Sequence, residues 1–150
     1  MRNIPSSGHY DLVVQLFTSF GYFDQKEDDR LVLSKAFSAL KSGGWYILDL
    51  INPIHLAKTL IPHSSRTAGE LTLIEERAFV GDKITKQITI VPPVGKRVTF
   101  SESVRLYGKE EIVGLLEKEG FSVKSLIGNY QGDAFSVEES SRMMLFCCKP

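Results

Sequence analysis

The chain has 150 residues, and its 18 Lys and Arg balance its 18 Asp and Glu, so the formal net charge is zero. Hydrophobic residues make up 43% of the sequence, which is enough for one globular domain with its own core. Balanced charge argues against a nucleic-acid binder, and no apolar run reaches the roughly 18 residues that cross a membrane. Its two cysteines, Cys147 and Cys148, are adjacent and favour reduced thiols, hence a cytoplasmic location.

A strand and a helix open the predicted fold. Tyr10–Leu16 is rich in branched apolar residues and lacks alternation, which is typical of a strand buried on both faces. Apolar residues at helical spacing follow it and predict a helix of about four turns. Asp24 and Glu27 form a capping box for its start, and Gly43-Gly44 is expected to end it.

A second apolar run completes a recognisable unit. Trp45–Leu50 has the pattern of another buried strand. The order strand, helix, strand predicts a crossover connection between two parallel strands, with right-handed geometry. Pro53 then favours the first turn of a short helix over Ile54–Thr59, because proline is tolerated there without losing a hydrogen bond.

The middle of the chain changes character. Three runs rich in Thr, Ile, Val and Phe predict an antiparallel meander inserted into the α/β chain: Leu71–Val80, Lys83–Val91 and Arg97–Leu106. Gly81-Asp82 is a plausible hairpin turn between the first two runs. After the meander we expect one helix and two strands: Lys109–Glu119, Phe121–Gly128 and Met143–Cys148. The whole is predicted to be a single domain with parts at 1–68, 69–107 and 108–150.

These segments resemble, in chain order, the class I S-adenosylmethionine-dependent methyltransferases. Similarity to the family's fourth strand and the loop after it lies in YDLVVQLFTSFGYF (Tyr10–Phe23). Similarity to the next helix and the fifth strand lies in LSKAFSALKSGGWYILDLINP (Leu33–Pro53). The segment SVRLYGKEEIVGLLEKEGFSVKSLIGNYQG (Ser103–Gly132) resembles the family's late helix, sixth strand and substrate-side loop. The segment SRMMLFCCKP resembles the family's antiparallel seventh strand. The resemblance implies a partial doubly wound, Rossmann-like α/β sheet of strand order 4-5-7-6, with the last strand antiparallel.

The resemblance covers only the family's C-terminal half. Met1–Pro5 is similar to the segment just before the fourth strand, so the glycine-rich donor loop and the acidic residue that ends the second strand have no counterpart. No G-x-G occurs in the sequence, and Gly43-Gly44 precedes a strand instead of following one. The resemblance implies S-adenosylmethionine as the cofactor, but the isolated chain is expected not to be active alone.

Candidate site residues follow from the resemblance and from one topological rule. Asp49 and Asn52 flank the end of a buried strand, at the carboxyl edge where open α/β sheets bind ligands. By resemblance, the cofactor contacts are Gln15, Leu16, Phe17 and Thr18. The candidate contacts to a small-molecule acceptor are Ser19, Phe20, Gly21, Tyr22, Asp49, Asn52, Arg105, Tyr107 and Tyr130. Neither a catalytic residue nor a metal ligand is assigned.

Strand Tyr10–Leu16 would be an edge strand in a sheet of this order. It has no Lys, Pro or bulge to protect it, so we expect a partner to cover it. Either two copies pair there as a homodimer with an eight-stranded sheet, or a separate donor-binding half docks there. Two functions stay open: a small-molecule methyltransferase that needs a donor-binding half, and a non-catalytic homodimeric or regulatory module derived from one.

Overall fold

The computed structural model describes residues 8–150, so Met1–Pro5 lies outside the described residues. The elements in chain order are β1 (Tyr10–Gln15), α1 (Lys26–Ala39), β2 (Leu40–Ile51), α2 (Pro53–Thr59), β3 (His63–Ala68), β4 (Leu71–Val80), β5 (Lys83–Val91), β6 (Val98–Arg105), α3 (Lys109–Lys118), β7 (Ser122–Ile127) and β8 (Arg142–Cys148). They form two four-stranded sheets. No helix within residues 8–150 combines the length and apolar character needed to cross a membrane.

The first sheet has the order β1-β2-β8-β7. Strands β1 and β2 are parallel, whereas β8 runs antiparallel to both β2 and β7. In the family's strand numbers this is the order 4-5-7-6 with an antiparallel last strand, so the prediction for this sheet is confirmed. Because β1 and β2 are parallel, their carboxyl ends at Gln15 and Ile51 meet at one edge of the sheet.

Among residues 8–150, helices cover one face of the first sheet. Alternate residues of β2 share a face, and Tyr46, Leu48 and Leu50 are buried in one core with residues of α1, α3 and β8. The opposite face carries Leu12, Val14 and Trp45, which are 50%, 43% and 42% exposed. We call these three residues the open face.

The prediction that Tyr10–Leu16 is buried on both faces is therefore wrong. Within residues 8–150, β1 pairs with β2 alone and lies at the edge of the first sheet. No helix of the described chain packs on the face that Leu12 and Val14 share. This edge strand keeps its apolar composition although four of its six residues are exposed.

Helix α1 begins and ends at other residues than predicted. Its N-cap is Gln25, which makes no side-chain capping bond, so the capping box of Asp24 and Glu27 is wrong. The helix ends at Ala39, and Gly43-Gly44 lies inside β2. Lys149 explains the early end, because its ammonium group donates to the carbonyls of Phe37 (2.9 Å) and Leu40 (2.8 Å) and satisfies the last turn.

The second sheet is the predicted antiparallel meander with one more strand. Strands β4 and β5 have the predicted bounds, and β6 lies within the predicted run. Gly81 adopts a left-handed φ of 61° in the turn between β4 and β5, as the hairpin prediction requires. Strand β3 pairs antiparallel with β4 and was not among the predicted elements, because its sequence HSSRTA has no apolar alternation. The second sheet therefore starts at His63.

Candidate functional site

A cavity of about 340 Å³ lies where the two sheets meet, at the carboxyl ends of β1 and β2. The first sheet and α2 supply one wall, and β4, β5 and β6 supply the other. Its apolar lining residues are Phe17, Ile51, Leu56, Leu60, Ile84 and Val104. Its polar lining residues are Thr18, Tyr22, Arg77, Lys86, Glu102 and Arg142. An apolar body with a few converging polar groups is typical of small-molecule sites.

The turn after β1 forms part of this wall. Phe17 and Thr18 have left-handed φ angles of 56° and 57°, a conformation that costs side-chain-bearing residues roughly 1–2 kcal/mol each. The Phe17 amide donates to Asp49 Oδ2 (2.8 Å), and the Thr18 amide donates to the Asp49 carbonyl (3.2 Å). Gln15 is buried beside them: its Nε2 donates to the Ser19 carbonyl, and its Oε1 accepts from Tyr46. The amide of Gln15 therefore holds the turn.

Asp49 is the centre of the hydrogen bonds at this edge. Its carboxylate is fully buried, and Oδ1 accepts a hydrogen bond from Arg142 Nε (2.9 Å) and lies 2.8 Å from Arg142 Nη2 in the same ion pair. Its other oxygen, Oδ2, accepts from the Phe17 amide (2.8 Å) and from the Tyr130 hydroxyl (2.7 Å). Arg142 Nη2 donates a hydrogen bond to Thr18 Oγ1 at 2.8 Å. A buried carboxylate with these donors is well compensated.

Tyr130 and Phe17 form an aromatic pair at the rim of the site. Their ring centroids are 6.2 Å apart, and the rings are 53% and 76% exposed respectively. The Arg142 guanidinium lies 5.8 Å from the Tyr130 centroid, within cation–π range. Burial and the hydrogen bond to Asp49 raise the pKa of the Tyr130 hydroxyl.

A second buried network anchors the second sheet over the cavity. Arg105 of β6 donates to Asp29 Oδ2 (2.6 Å) on α1 and to Asp82 Oδ2 (3.0 Å) in the β4–β5 turn. It also donates to the carbonyls of Phe23 and Asp24. The Tyr107 hydroxyl donates to the same Asp29 oxygen at 2.7 Å, and burial together with Asp29 raises the Tyr107 pKa. Asp29 is fully buried, although it lies in an acidic run at the start of a helix, a pattern that usually indicates a solvated face.

Several candidate acceptor residues support the walls without lining the cavity. Phe20 is buried against the Tyr107 ring, with centroids 5.3 Å apart. Gly21 has φ 95°, and a Cβ there would lie 2.6 Å from the Arg105 carbonyl oxygen. Asn52 caps α2 by accepting from the Ile54 amide, and its amide group donates to the carbonyls of Val137 and Ser140.

The structure thus divides the candidate residues into three groups. Those that line the cavity are Phe17, Thr18 and Tyr22. Those that support its walls without lining it, through hydrogen bonds, packing or backbone contacts, are Gln15, Phe20, Gly21, Asp49, Asn52, Arg105, Tyr107 and Tyr130. Leu16 is half-buried and Ser19 is exposed, and neither lines the cavity. Burial and the neighbouring Glu102 raise the pKa of the Tyr22 hydroxyl.

Sequence reasoning missed the charged residues that line the cavity itself. Arg77 and Lys86 both pair with Glu75, and Glu102 faces Lys86 across the β5–β6 ladder. Strand alternation places these side chains on one face of the second sheet, which was a usable signal. Arg142 was missed as well, although a charged residue beginning the strand beside buried Asp49 is a natural partner for it. Within residues 8–150, no group of three His, Cys, Asp or Glu side chains is arranged to hold a metal.

Comparison with known proteins finds similarity in structure alone. No protein-family model matches the sequence. No curated protein matches it either. A methyltransferase from Clostridium acetobutylicum that depends on S-adenosylmethionine superposes on 98% of this chain with a TM-score of 0.84 and 19% identity. The CcbJ methyltransferase from Streptomyces caelestis matches 95% of it with a TM-score of 0.80 and 11% identity.

A third solved structure extends the comparison to a sugar-modifying protein. CalS10, an amino pentose methyltransferase from Micromonospora echinaspora whose structure holds S-adenosylmethionine, matches 99% of the chain with a TM-score of 0.67 and 13% identity. The chain spans 61%, 62% and 62% of the lengths of these three structures. At these identities the likeness establishes the fold: the chain has the methyltransferase-like, Rossmann-like α/β fold that the resemblance predicted.

Proposed function

We propose that this chain forms the acceptor side of an S-adenosylmethionine-dependent methyltransferase that acts on a small molecule. The observation that carries the proposal is the cavity of about 340 Å³ at the carboxyl ends of β1 and β2. Open α/β sheets bind their ligands at that edge, and the second sheet closes it from above. The fold is shared with methyltransferases, among them one that acts on an amino pentose.

The chemistry of the lining suits a positioning role. When bound, S-adenosylmethionine supplies the methyl group, and a displacement of this kind depends mainly on how the acceptor is oriented. Phe17, Tyr22 and Ile51 offer apolar area for the body of an acceptor. Lys86 and Glu102 offer polar contacts on the opposite wall.

The residues present fit the acceptor side of such a site better than the donor side. The Phe17–Thr18 turn follows β1 and faces the cavity, where it would meet the methyl-bearing end of the cofactor. The sequence has no G-x-G loop after a strand, the element that seats a bound cofactor by close backbone approach. We therefore propose that a donor-binding segment, in the same polypeptide or another, completes the enzyme.

A chimera tests this proposal. The chain is joined to the part of the Clostridium acetobutylicum methyltransferase that lies outside the match, and S-adenosylhomocysteine is titrated into it by calorimetry. We expect a Kd near ~10 μM, about −7 kcal/mol, for the chimera. The Clostridium part alone is the control and should bind much more weakly. A chimera that is folded by circular dichroism, yet gives no binding heat, would contradict the proposal.

The partner is proposed to be this donor-binding segment, seated on the open face and along the free edge of β1. Among the described residues, one side of β1 has no paired strand, and Leu12, Val14 and Trp45 add exposed apolar area beside it. An exposed apolar edge of this kind associates readily. In the absence of the segment, a second copy of the chain is the competing occupant.

Sedimentation distinguishes the two occupants. The isolated chain should self-associate at micromolar concentration, and the chimera should be monomeric because its added segment covers the open face. Leu12→Lys should return the isolated chain to a monomer, whereas Val80→Lys, at an exposed site of the second sheet, should not. A monomeric isolated chain would count against this partner surface.

The alternative function is a non-catalytic homodimeric or regulatory module derived from a methyltransferase. The missing G-x-G loop is the observation that favours it. It predicts a stable homodimer whose affinity for itself exceeds its affinity for any donor-binding segment. A chimera that remains dimeric and does not bind S-adenosylhomocysteine would support this alternative.

A further inference from the structure

The Phe17–Thr18 turn needs an explanation beyond local sequence. These two are the only non-glycine residues of the described chain with positive φ, and they are consecutive. Strained backbone of this kind persists only where the surrounding structure holds it, and it concentrates at functional sites. Phe17 is largely exposed, so burial of its ring does not hold the turn. Hydrogen bonds to the turn hold it, together with the burial of Thr18.

Arg142 links the side chains of this turn and of the sheet, in addition to the bonds that the Phe17 and Thr18 amides make to Asp49. Its Nε and Nη2 both approach Asp49 Oδ1, at 2.9 and 2.8 Å, and Nη2 also lies 2.8 Å from Thr18 Oγ1. Because the Arg142 guanidinium binds Asp49 Oδ1, the other carboxylate oxygen, Oδ2, accepts from the Phe17 amide and the Tyr130 hydroxyl. One side chain therefore sets the orientation of Asp49 and contacts the turn directly.

We propose that Arg142 is a positioning residue, which through Asp49 and Thr18 fixes Phe17 and Tyr130 at the mouth of the acceptor cavity. The proposal rests on the proposed function, since the wall concerned belongs to the same site. A small displacement of that wall would shift a bound acceptor relative to the methyl donor, to which transfer rates are sensitive. Arg142 itself need not touch the reacting atoms for this effect.

A purely structural role makes a different prediction. If Arg142 only neutralised the buried Asp49 charge, a lysine would serve in its place. A lysine ammonium is a point charge on a flexible stem, and it cannot reproduce the planar fork that reaches Asp49 and Thr18 together. Conservative replacement therefore separates positioning from charge compensation.

Amide hydrogen exchange of the whole chain, followed by NMR, provides the test. In Arg142→Lys we expect the Phe17 and Thr18 amides to exchange at least tenfold faster, relative to the core amides of Leu48 and Leu145. The matched control is Arg77→Lys, because Arg77 lines the same cavity and also pairs with a carboxylate, that of Glu75. The control should leave the Phe17 and Thr18 rates within twofold of the parent.

A second variant keeps the test decisive if Arg142→Lys does not fold. Thr18→Val removes only the hydroxyl acceptor and leaves the ion pair with Asp49, and it should raise both turn rates at least threefold. Unchanged turn rates in whichever variants fold, or equal increases in Arg142→Lys and Arg77→Lys, would overturn the proposal. Neither outcome involves S-adenosylhomocysteine or methyl transfer, so failure here is distinct from failure of the proposed function.

Discussion

Replacing Arg105 by Met removes the cation that holds the second sheet over the cavity. Asp29 is fully buried, and its Oδ2 accepts from Arg105 (2.6 Å) and Tyr107 (2.7 Å). Its Oδ1 has no hydrogen-bond partner within residues 8–150. Removing one partner of a buried ion pair typically costs about 3–5 kcal/mol, because the remaining charge is left uncompensated. Since domains are stable by only about 5–15 kcal/mol, R105M should lose a large share of the free energy of unfolding.

Urea unfolding followed by circular dichroism measures this loss. The double variant Asp29→Leu with Arg105→Met leaves no charge buried, so it should recover most of the stability that R105M loses, as replacement of buried ion pairs by apolar residues often does. Two results would refute the reasoning. One is a loss below about 1 kcal/mol in R105M, which is the range of an exposed ion pair. The other is a double variant no more stable than the single one.

Three further changes test other parts of the site's framework by the same unfolding assay. Gly21→Ala should lower the free energy of unfolding by at least ~1 kcal/mol more than Gly69→Ala does. Both glycines have positive φ, but of the two only a Cβ at Gly21 would meet backbone, at 2.6 Å. Equal losses in the two variants would contradict the close approach at Gly21. Asn52→Ala should lower the free energy of unfolding by about 1–2 kcal/mol, because a buried helix cap and two donated hydrogen bonds are lost. A loss below about 0.5 kcal/mol, the low end for removing a helix N-cap, would count against this role. For Asp82, burial alone would raise the pKa, but the hydrogen bond and charge of Arg105 lower it below 3.8. The ion pair therefore stabilises the fold at neutral pH, and this stabilisation is lost as the pH falls through the lowered pKa of Asp82. The difference in the free energy of unfolding between the parent and Asp82→Asn should accordingly narrow from pH 7 to pH 3. A difference that stays constant over this range would contradict the ion pair.

Local patterns were sufficient to predict most of the fold. The bounds of β4 and β5 were predicted because a glycine turn separates two runs of β-forming residues. The sheet order followed from the family resemblance. The predicted start of α1 was wrong because of a tertiary contact. The Arg105 guanidinium donates a hydrogen bond to the Asp24 carbonyl and holds the chain there. Local capping rules do not include such long-range partners.

The candidate site was only partly predictable for the same reason. Asp49 stood out because a buried strand rarely contains a carboxylate without a partner. The identity of that partner depends on the antiparallel pairing of β8 with β2, which brings Arg142 beside Ile51 across more than ninety residues of chain. Asp29 lies in a run of acidic residues at the start of a helix, where a solvated face is the usual interpretation. Only the fold reveals that it is buried against Arg105.

The central claim is that this chain carries the acceptor side of a methyltransferase site and depends on a further segment to hold the donor. Calorimetric titration of the isolated chain with S-adenosylhomocysteine tests that claim most directly, because this product form binds without turnover. We predict no saturable heat up to roughly millimolar ligand, weaker than about −4 kcal/mol. Saturable binding with a Kd near ~10 μM, about −7 kcal/mol, would contradict the claim, since the donor site would then be complete without any further segment.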